Sequence, residues 1–229
     1  MSAAKGLALD LFCGAGGVSV GLHRAGFEVV GVDLANQPRY PFEFIRGDAL
    51  RLLTRSWLNV FEFDFIWASP PCQHYSDLAH RNGNADEHPD LINPVRQLLE
   101  GIGVPYVIEN VEGAPLRDPR TICGTERGLG VDGYRLRRHR LFESNFPLLT
   151  PPCACYGTAD PIIDVSGGGP THAPRLDGGG GRTYKGTVAQ KRAAMGIDWM
   201  TGGELVEAIP PAYAELIAAQ VPTRLEVAA

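Results

Sequence analysis

Leu7-Ala8-Leu9-Asp10-Leu11-Phe12 is an apolar run that leads directly into Cys13-Gly14-Ala15-Gly16-Gly17. A nearly continuous apolar run of this length suits a strand buried on both faces, because a half-exposed strand would alternate polar and apolar positions. The glycines that follow let the chain turn tightly and let a ligand approach the backbone. Val18 to Ala25 then reads as a helix, and Phe27 to Val32 as a second strand that ends at Asp33. A strand, a glycine turn, a helix and a second strand closed by an acid make the opening unit of a doubly wound sheet. Asp33 stands nineteen residues after Gly14, where a carboxylate accepts hydrogen bonds from ribose hydroxyls. The dinucleotide fingerprint would place a third glycine at position 19, and Ser19 is there instead. A glycine turn also forms between strand and helix without any ligand, so the turn alone does not name one.

The alternation continues outward from this unit. Phe42 to Arg46 reads as a short third strand followed by Gly47-Asp48, Phe63 to Ala68 as a fourth, and Val104 to Ile108 as a fifth. Leu91 to Leu99 fits a helix with Pro94 in its first turn. The fold class expected is α/β, a doubly wound and mostly parallel sheet with ligands at the strands' carboxyl ends. Asp48 reads either as the N-cap of a helix over Ala49 to Arg55 or as a carboxylate that binds an adenine amino group. Near Thr150 the composition changes: residues 150–187 hold nine glycines and five prolines. So much Gly and Pro rarely packs a core, and the stretch reads as a long excursion rich in loops. Order is expected again from Val188 to Met195. Pro211 then opens a final helix from Ala212 to Val221, where Tyr213, Leu216, Ile217 and Gln220 keep helical spacing. Three regions follow: a core over 1–142, a short Gly/Pro-rich region over 143–187, and a segment over 188–229 that returns to the core.

The chain has 229 residues, 44% of them hydrophobic and 21% charged, which suits one domain with a full core. No apolar stretch has the length of a membrane span, and the first residues do not read as a signal peptide. Five scattered cysteines, an odd number, make a poor disulfide framework and suit a reducing cytoplasm. The net charge of −5 argues against strong nonspecific binding to nucleic acid. A local basic cluster exists all the same, with Arg135, Arg137, Arg138, His139 and Arg140 within six residues.

The chemistry concentrates at two strand ends. Pro70-Pro71-Cys72-Gln73 closes the fourth strand, and Glu109-Asn110 closes the fifth. A free cysteine is usually a small buried hydrophobe. This one stands after two prolines and before a polar segment, Gln73-His74-Tyr75-Ser76, that reads as a mobile loop. A nucleophile at the base of a lid suits covalent catalysis. Glu109 at the end of an apolar strand is expected to have a raised pKa and to carry a proton; its plainer role is a cap or an arginine's partner. A thiol and a carboxyl at neighbouring strand ends can attack and protonate one planar ring together. In Arg138-His139-Arg140 the two arginines would point to the same side of a strand, toward one ligand or one acid, unless the strand is a solvated basic edge.

Together these segments resemble the DNA cytosine-5 methyltransferase family. The matching pieces are Asp10 to Gly17, Asp33, Gly47-Asp48, Pro70-Pro71-Cys72-Gln73, Glu109-Asn110-Val111 and Arg138-His139-Arg140, in the family's order over about residues 7–142, with a weaker match at 188–220. The compact form is similar to methyltransferases carried by bacteriophages. The resemblance implies a Rossmann-like fold that binds S-adenosylmethionine. Phe12, Cys13, Gly14, Ala15, Gly16 and Gly17 would cradle the cofactor, Asp33 and Leu34 would lie at its ribose, Asp48 and Ala49 at its adenine, and Pro71 nearby. The target cytosine would be flipped out of double-stranded DNA. Cys72 would attack ring carbon 6, Glu109 would bond ring nitrogen 3 and the amine, and Arg140 would contact the ring carbonyl. Arg138 would support the oxyanion side or the Cys72 environment, and Gln73 and Asn110 would line the substrate. A monomer is expected. Leu136 stands where the family often has Gln, and Pro210-Pro211-Ala212 where it has a Gly-Asn motif. The target-recognition region would be very short. The same chemistry on RNA or a free cytosine nucleotide, a catalytically silent DNA-binding module, and a nicotinamide-dependent oxidoreductase are the alternatives, the last disfavoured by Ser19 and Pro-Pro-Cys-Gln.

Cys153 and Cys155 read as two neighbouring structural thiols, and no metal site is expected. The alternative is zinc shared with Cys123, His139 or His172, against which the one-residue gap counts, since ligand pairs are usually separated by two to four residues.

Overall fold

The computed structural model describes residues 5–54, 59–72, 75, 89–153, 155, 161–166 and 183–222. Strands β1 (Gly6–Leu11), β2 (Phe27–Asp33), β3 (Glu43–Arg46), β4 (Phe65–Ala68) and β5 (Tyr106–Asn110) run parallel, while β6 (Arg120–Ile122) and β9 (Arg140–Ser144) are antiparallel to their neighbours. They form one seven-stranded sheet in the order β3-β2-β1-β4-β5-β9-β6. Chain direction away from β1 reverses between β2 and β4, so the carboxyl ends of β1, β2 and β4 surround a crevice. The expected strands and their parallel pairing are borne out. The antiparallel edge made by β6 and β9 extends it.

The apolar run of β1 is buried on both faces, as a sheet between two helical layers requires. Ala8 points into a cluster with Val18, Leu22, Phe65, Trp67, Phe142, Tyr213 and Ile217. Leu9 and Leu11 point the opposite way, to Leu52, Ile66, Val95 and Leu99. The first cluster lies under α1 (Gly17–Arg24) and the C-terminal α6 (Pro211–Ala218); the second lies under α2 (Ala49–Thr54) and α3 (Ile92–Ile102). The final helix therefore begins at Pro211, with the proline in its first turn. It crosses α1 very closely: a Cβ on Gly17 would stand 2.4 Å from the Ile209 carbonyl oxygen, and one on Gly21 2.2 Å from that of Pro211. The prolines at 210 and 211 thus lie where the last helix docks onto the first.

Across the sheet, Arg96 of α3 holds Glu143 of β9 by two bonds, Nε to Oε1 at 2.6 Å and Nη2 to Oε2 at 2.8 Å, with both side chains buried. Glu143 Oε2 also accepts from the Arg117 amide at 2.7 Å. This pair braces the strand that carries the arginine motif.

A second sheet draws two short strands from the loop-rich excursion expected over 150–187. Strands β7 (Gly130–Val131), β8 (Tyr134–Leu136), β10 (Ile162–Ile163) and β11 (Thr183–Tyr184) pair in the order β11-β10-β8-β7. They share a core of Leu136, Ile163, Val165, Met195, Ile197, Met200 and Leu205 with α4 (Val188–Met195) and α5 (Gly202–Glu207). This unit draws on residues from both sides of the boundaries expected at 142/143 and 187/188. Its strands are only two or three residues long, too short for a period to show. No helix among the described residues is long and apolar enough to cross a membrane.

Candidate active site

At the centre of the main sheet the chain leaves β1 with Phe12 at φ 60°, Gly14 at φ 50° and Gly16 at φ 87°. The Gly14 amide donates to Asp33 Oδ2 at 3.0 Å and the Ala35 amide to Asp33 Oδ1 at 2.9 Å. Asp33 therefore ties the glycine turn to the end of β2. The Gly47 amide donates to the Asp33 carbonyl at 2.9 Å, which brings Asp48 alongside. Asp48 Oδ1 accepts from the Leu50 and Arg51 amides, so it caps α2 as the simpler reading held. Leu34 stands 71% exposed beside Asp33. The side chains of Cys13, Ala15 and Ala49 are buried, and a Cβ on Gly17 would meet the Ile209 carbonyl. Burial pushes the Cys13 thiol far up, with Asp10 and Asp33 adding to it. The Ala15 carbonyl accepts from the Trp199 indole at 2.7 Å, which seats the second unit against the turn.

Ser19 occupies the place of the absent third glycine for a local reason. Its hydroxyl bonds to buried Asp10 and lies 2.8 Å from Tyr40 Oη. A Cβ on Gly31 would meet the Tyr40 ring at 2.3 Å, so β2 leaves room for that tyrosine. Burial raises the Asp10 carboxyl to about 7, against the Ser19 bond. This trio was missed because its members lie far apart in sequence and look individually ordinary.

The reaction end follows from strand register. Ala68 of β4 pairs with Ile108 of β5, so the residues that follow each strand emerge side by side. Asn110 is buried; its Nδ2 donates to the Pro70 carbonyl at 2.9 Å and its Oδ1 accepts from the Val111 amide at 2.9 Å. Expected at the substrate, Asn110 is engaged by backbone on both sides and positions the Pro-Pro-Cys turn. Pro71 is exposed and Cys72 half-buried at its tip. Gln73 and His74 lie outside the described residues, as do residues 76–88.

Glu109 pairs with Phe142 of β9, and Arg140 stands two residues from Phe142 on the same face. Arg140 Nε lies 3.2 Å from Glu109 Oε1 and its Nη1 donates to the His139 carbonyl at 2.7 Å. Burial raises the Glu109 carboxyl, while Arg140, the Ser69 hydroxyl and Arg138 pull it down. Burial likewise raises the Cys72 thiol; Arg140 lowers it and Glu109 raises it further. Arg140 thus opposes the effect of burial on both groups. Arg138 is buried more deeply, and its Nη2 donates to the Val206 carbonyl at 2.7 Å. Burial lowers it to about 9, with Arg140 adding repulsion. Its Nε finds no hydrogen-bond partner among the described residues. Two positioning residues were not read from sequence. The Trp67 indole donates to Ser69 Oγ at 2.9 Å, and the Tyr213 hydroxyl donates to the Arg138 carbonyl at 2.6 Å.

The expectation of no metal ligands meets a different geometry. Cys123, His139, Cys153 and Cys155 converge, with all four ligand atoms within 4.8 Å of one another. The thiols at 153 and 155 face a histidine and a third thiol rather than a core. His172 lies outside the described residues.

The parallel sheet with its antiparallel edge and central glycine turn defines a Rossmann-like methyltransferase fold. A prophage-encoded protein of Escherichia coli, solved as a candidate DNA modification methyltransferase, shares it with a TM-score of 0.56 and 17% identity over 93% of this chain and 97% of that one. The model of the C-5 cytosine-specific DNA methylase family matches residues 7–123, just over half of the chain, and the chain belongs to that family. It is 33% identical to the Type II methyltransferase M.AquIA of Picosynechococcus over 46% of this chain and 48% of that protein. It is 28% identical to the Type II methyltransferase M.XorII of Xanthomonas oryzae pv. oryzae over 47% of this chain and 28% of that protein. The chain therefore spans less than half the length of these curated relatives.

Proposed function

We propose that this chain transfers a methyl group from S-adenosylmethionine to carbon 5 of cytosine in DNA, by way of a covalent bond from Cys72 to a flipped base. The observation that carries the reading is the pairing of β4 with β5, which brings Cys72 and Glu109 out at neighbouring strand ends, with Arg140 Nε 3.2 Å from the Glu109 carboxyl.

The residues at the neighbouring strand ends fit the cofactor. A Cβ on Gly14 or on Gly47 would meet nothing within 4 Å, so the backbone there is open to a ligand. Each Asp33 oxygen accepts one amide bond and keeps lone-pair capacity for a ribose hydroxyl. Exposed Leu34 offers an apolar face to a flat ring. When bound, the cofactor supplies an electrophilic methyl group on a sulfonium.

Cytosine carbon 5 is a poor nucleophile until the ring is converted to an enamine. The Cys72 thiolate forms a bond to carbon 6, and the electron pair displaced toward nitrogen 3 is taken up by a proton delivered through Glu109, whose carboxyl burial raises. Arg140 donates to the ring carbonyl where negative charge gathers. Arg138 holds the Val206 carbonyl and so the segment that leads into β9. After carbon 5 takes the methyl group, its proton passes to water, the electron pair left behind re-forms the ring double bond as the bond to Cys72 breaks, and the nitrogen 3 proton returns through Glu109, so that 5-methylcytosine and the thiolate are released. The second sheet with α4 and α5 sits beside the glycine turn and is the part that would read the target.

The test is incubation of the purified chain with tritiated S-adenosylmethionine and mixed-sequence duplex DNA, followed by nucleoside analysis. Tritiated 5-methylcytosine is expected. Label on RNA or on deoxycytidine nucleotides but none on duplex DNA would move the reading to those substrates, and no label on any of them would overturn it.

A further inference from the structure

Behind the arginine pair, on the other side of the same strand, lies a cluster that the methyl-transfer reading does not use. The β6–β9 register pairs Ile122 with Arg140, and one more step sets Cys123 opposite His139. Cys153 and Cys155 arrive from the segment that leaves β9. His139 Nε2 lies 3.3 Å from Cys153 Sγ and 3.1 Å from Cys155 Sγ, and those two sulfurs are 3.1 Å apart. That spacing is far beyond a disulfide bond of ~2.05 Å, and all the thiols are free. A tetrahedral zinc ion with Zn–S bonds of ~2.3 Å has ligand–ligand edges of about 3.8 Å, inside the 4.8 Å span of the four atoms.

The surroundings are those of a ligand set. The other ring nitrogen of His139, Nδ1, lies 3.2 Å from Glu112 Oε1, the carboxylate partner that orients a metal-bound histidine. Cys123 is fully buried, with its Sγ 3.9 Å from the Leu136 carbonyl, and Cys155 is buried as well. Three thiols and an imidazole are soft, four-coordinate donors that suit zinc over magnesium or calcium.

We propose that Cys123, His139, Cys153 and Cys155 form a closed structural Zn²⁺ site. Four protein ligands leave no position for water or substrate, so the ion does no chemistry on the base. It joins the end of β6, the residue before β9 and the start of the 153–166 segment at one point. Because His139 is the residue between Arg138 and Arg140, the ion would fix the backbone from which both arginines reach forward. Three thiolates around a divalent ion carry a net charge of −1, next to Arg137, Arg138 and Arg140. The inference stands apart from the methyl-transfer reading, because metal content reports on it whether or not the chain is active.

The experiment is metal analysis of the full chain, produced with zinc in the medium and desalted, by inductively coupled plasma mass spectrometry. One zinc per chain is expected. His139→Ala should lose it, while His139→Cys, which completes a four-thiolate set, should keep it. His23→Gln, at an exposed position far from the cluster, should keep it too. Glu112→Ala should weaken zinc binding about 10–100-fold in competition with a chelator. Should His139→Ala fail to fold, cobalt decides on the unmodified sequence: a tetrahedral site gives intense visible bands and thiolate-to-cobalt charge transfer. A metal-free chain that takes up no cobalt, full zinc content in His139→Ala, or an intact mass two hydrogens lighter from a Cys153–Cys155 disulfide would each overturn the proposal.

Discussion

The two ends of the sheet's carboxyl edge are built in opposite ways. The glycine turn at β1 and β2 works with backbone amides, open space and an acid whose oxygens are held by neighbouring amides. The edge at β4, β5 and β9 works with buried charge: Glu109, Arg138, Arg96 and Glu143 are all buried, with Arg140 close to Glu109. The first end can accept a ligand without moving. The second sets charged groups against one another, Arg96 against Glu143 and Arg140 beside Glu109. Substitutions should therefore divide. Those at the first end should alter affinity and little else, while those at the second should alter chemistry or stability without altering cofactor affinity.

The largest effect is expected from Cys72→Ser. Turnover should be abolished, because a serine hydroxyl ionises far less readily than a thiol and is the weaker nucleophile toward carbon 6. Cofactor affinity by calorimetry should stay unchanged, and an active serine variant would refute the nucleophile. Glu109→Gln should lower kcat by about 10²–10⁴-fold, the range for a lost acid–base group. It also removes a negative charge that raises the Cys72 thiol. The sign follows: without that charge the thiolate is easier to form, so the pH midpoint of Cys72 alkylation, followed on its peptide by mass spectrometry, should move down. An upward shift would mean that Glu109 does not face the thiol.

Arg96→Ala tests the brace rather than the chemistry. Removing one partner of a buried pair leaves Glu143 without its charge partner and should cost about 3–5 kcal/mol of stability by denaturant unfolding. A loss within experimental error would show that Glu143 is satisfied by the Arg117 amide alone. Asp33→Ala belongs to the other end. Loss of charged hydrogen bonds to the ribose should weaken S-adenosylmethionine by about 1.5–3 kcal/mol, or roughly 10–100-fold, with the fold intact. Because Asp33 also holds the Gly14 amide, circular dichroism of the variant separates lost binding from a loosened turn.

The same contrast explains what could be read in advance. The cofactor end lies within Leu7 to Asp48, where apolar runs, glycines and acids keep local order, so its strands and turn were legible. The neighbouring placement of the two strands that lead to Cys72 and Glu109 was also legible, because a doubly wound sheet sets such apolar runs side by side. The supports were not. Asn110 is held by Pro70, Glu143 by Arg96 and Arg138 by Val206 and Tyr213, and no local pattern announces contacts across 40 to 75 positions. The second sheet escaped because its strands are shorter than the period that would reveal them. The Cys-x-Cys pair was visible, and Cys123 and His139 stood among its possible partners, but their convergence on it depends on the β6–β9 register, which two short strands do not disclose.

Tyr213→Phe should give the smallest effect and the sharpest reading of the comparison. Its hydroxyl donates to the Arg138 carbonyl at 2.6 Å in a fully buried position, and its ring packs edge-on against Phe142 with centroids 6.3 Å apart. Phenylalanine keeps the ring and removes only the donor, so the stability cost should be about 1 kcal/mol, or roughly 2–4 °C in Tm for a chain of this size. The lost bond, however, is to the backbone of the arginine strand. If the reaction end depends on how that strand is held, kcat should fall while cofactor affinity stays constant, and a small shift in the position of Arg140 is enough to cause it. If only Tm moves, Arg138 and Arg140 are fixed by their own side-chain bonds and by the residues on the far face of the strand. The C-terminal helix would then contribute packing to the core and nothing to the placement of the reacting groups.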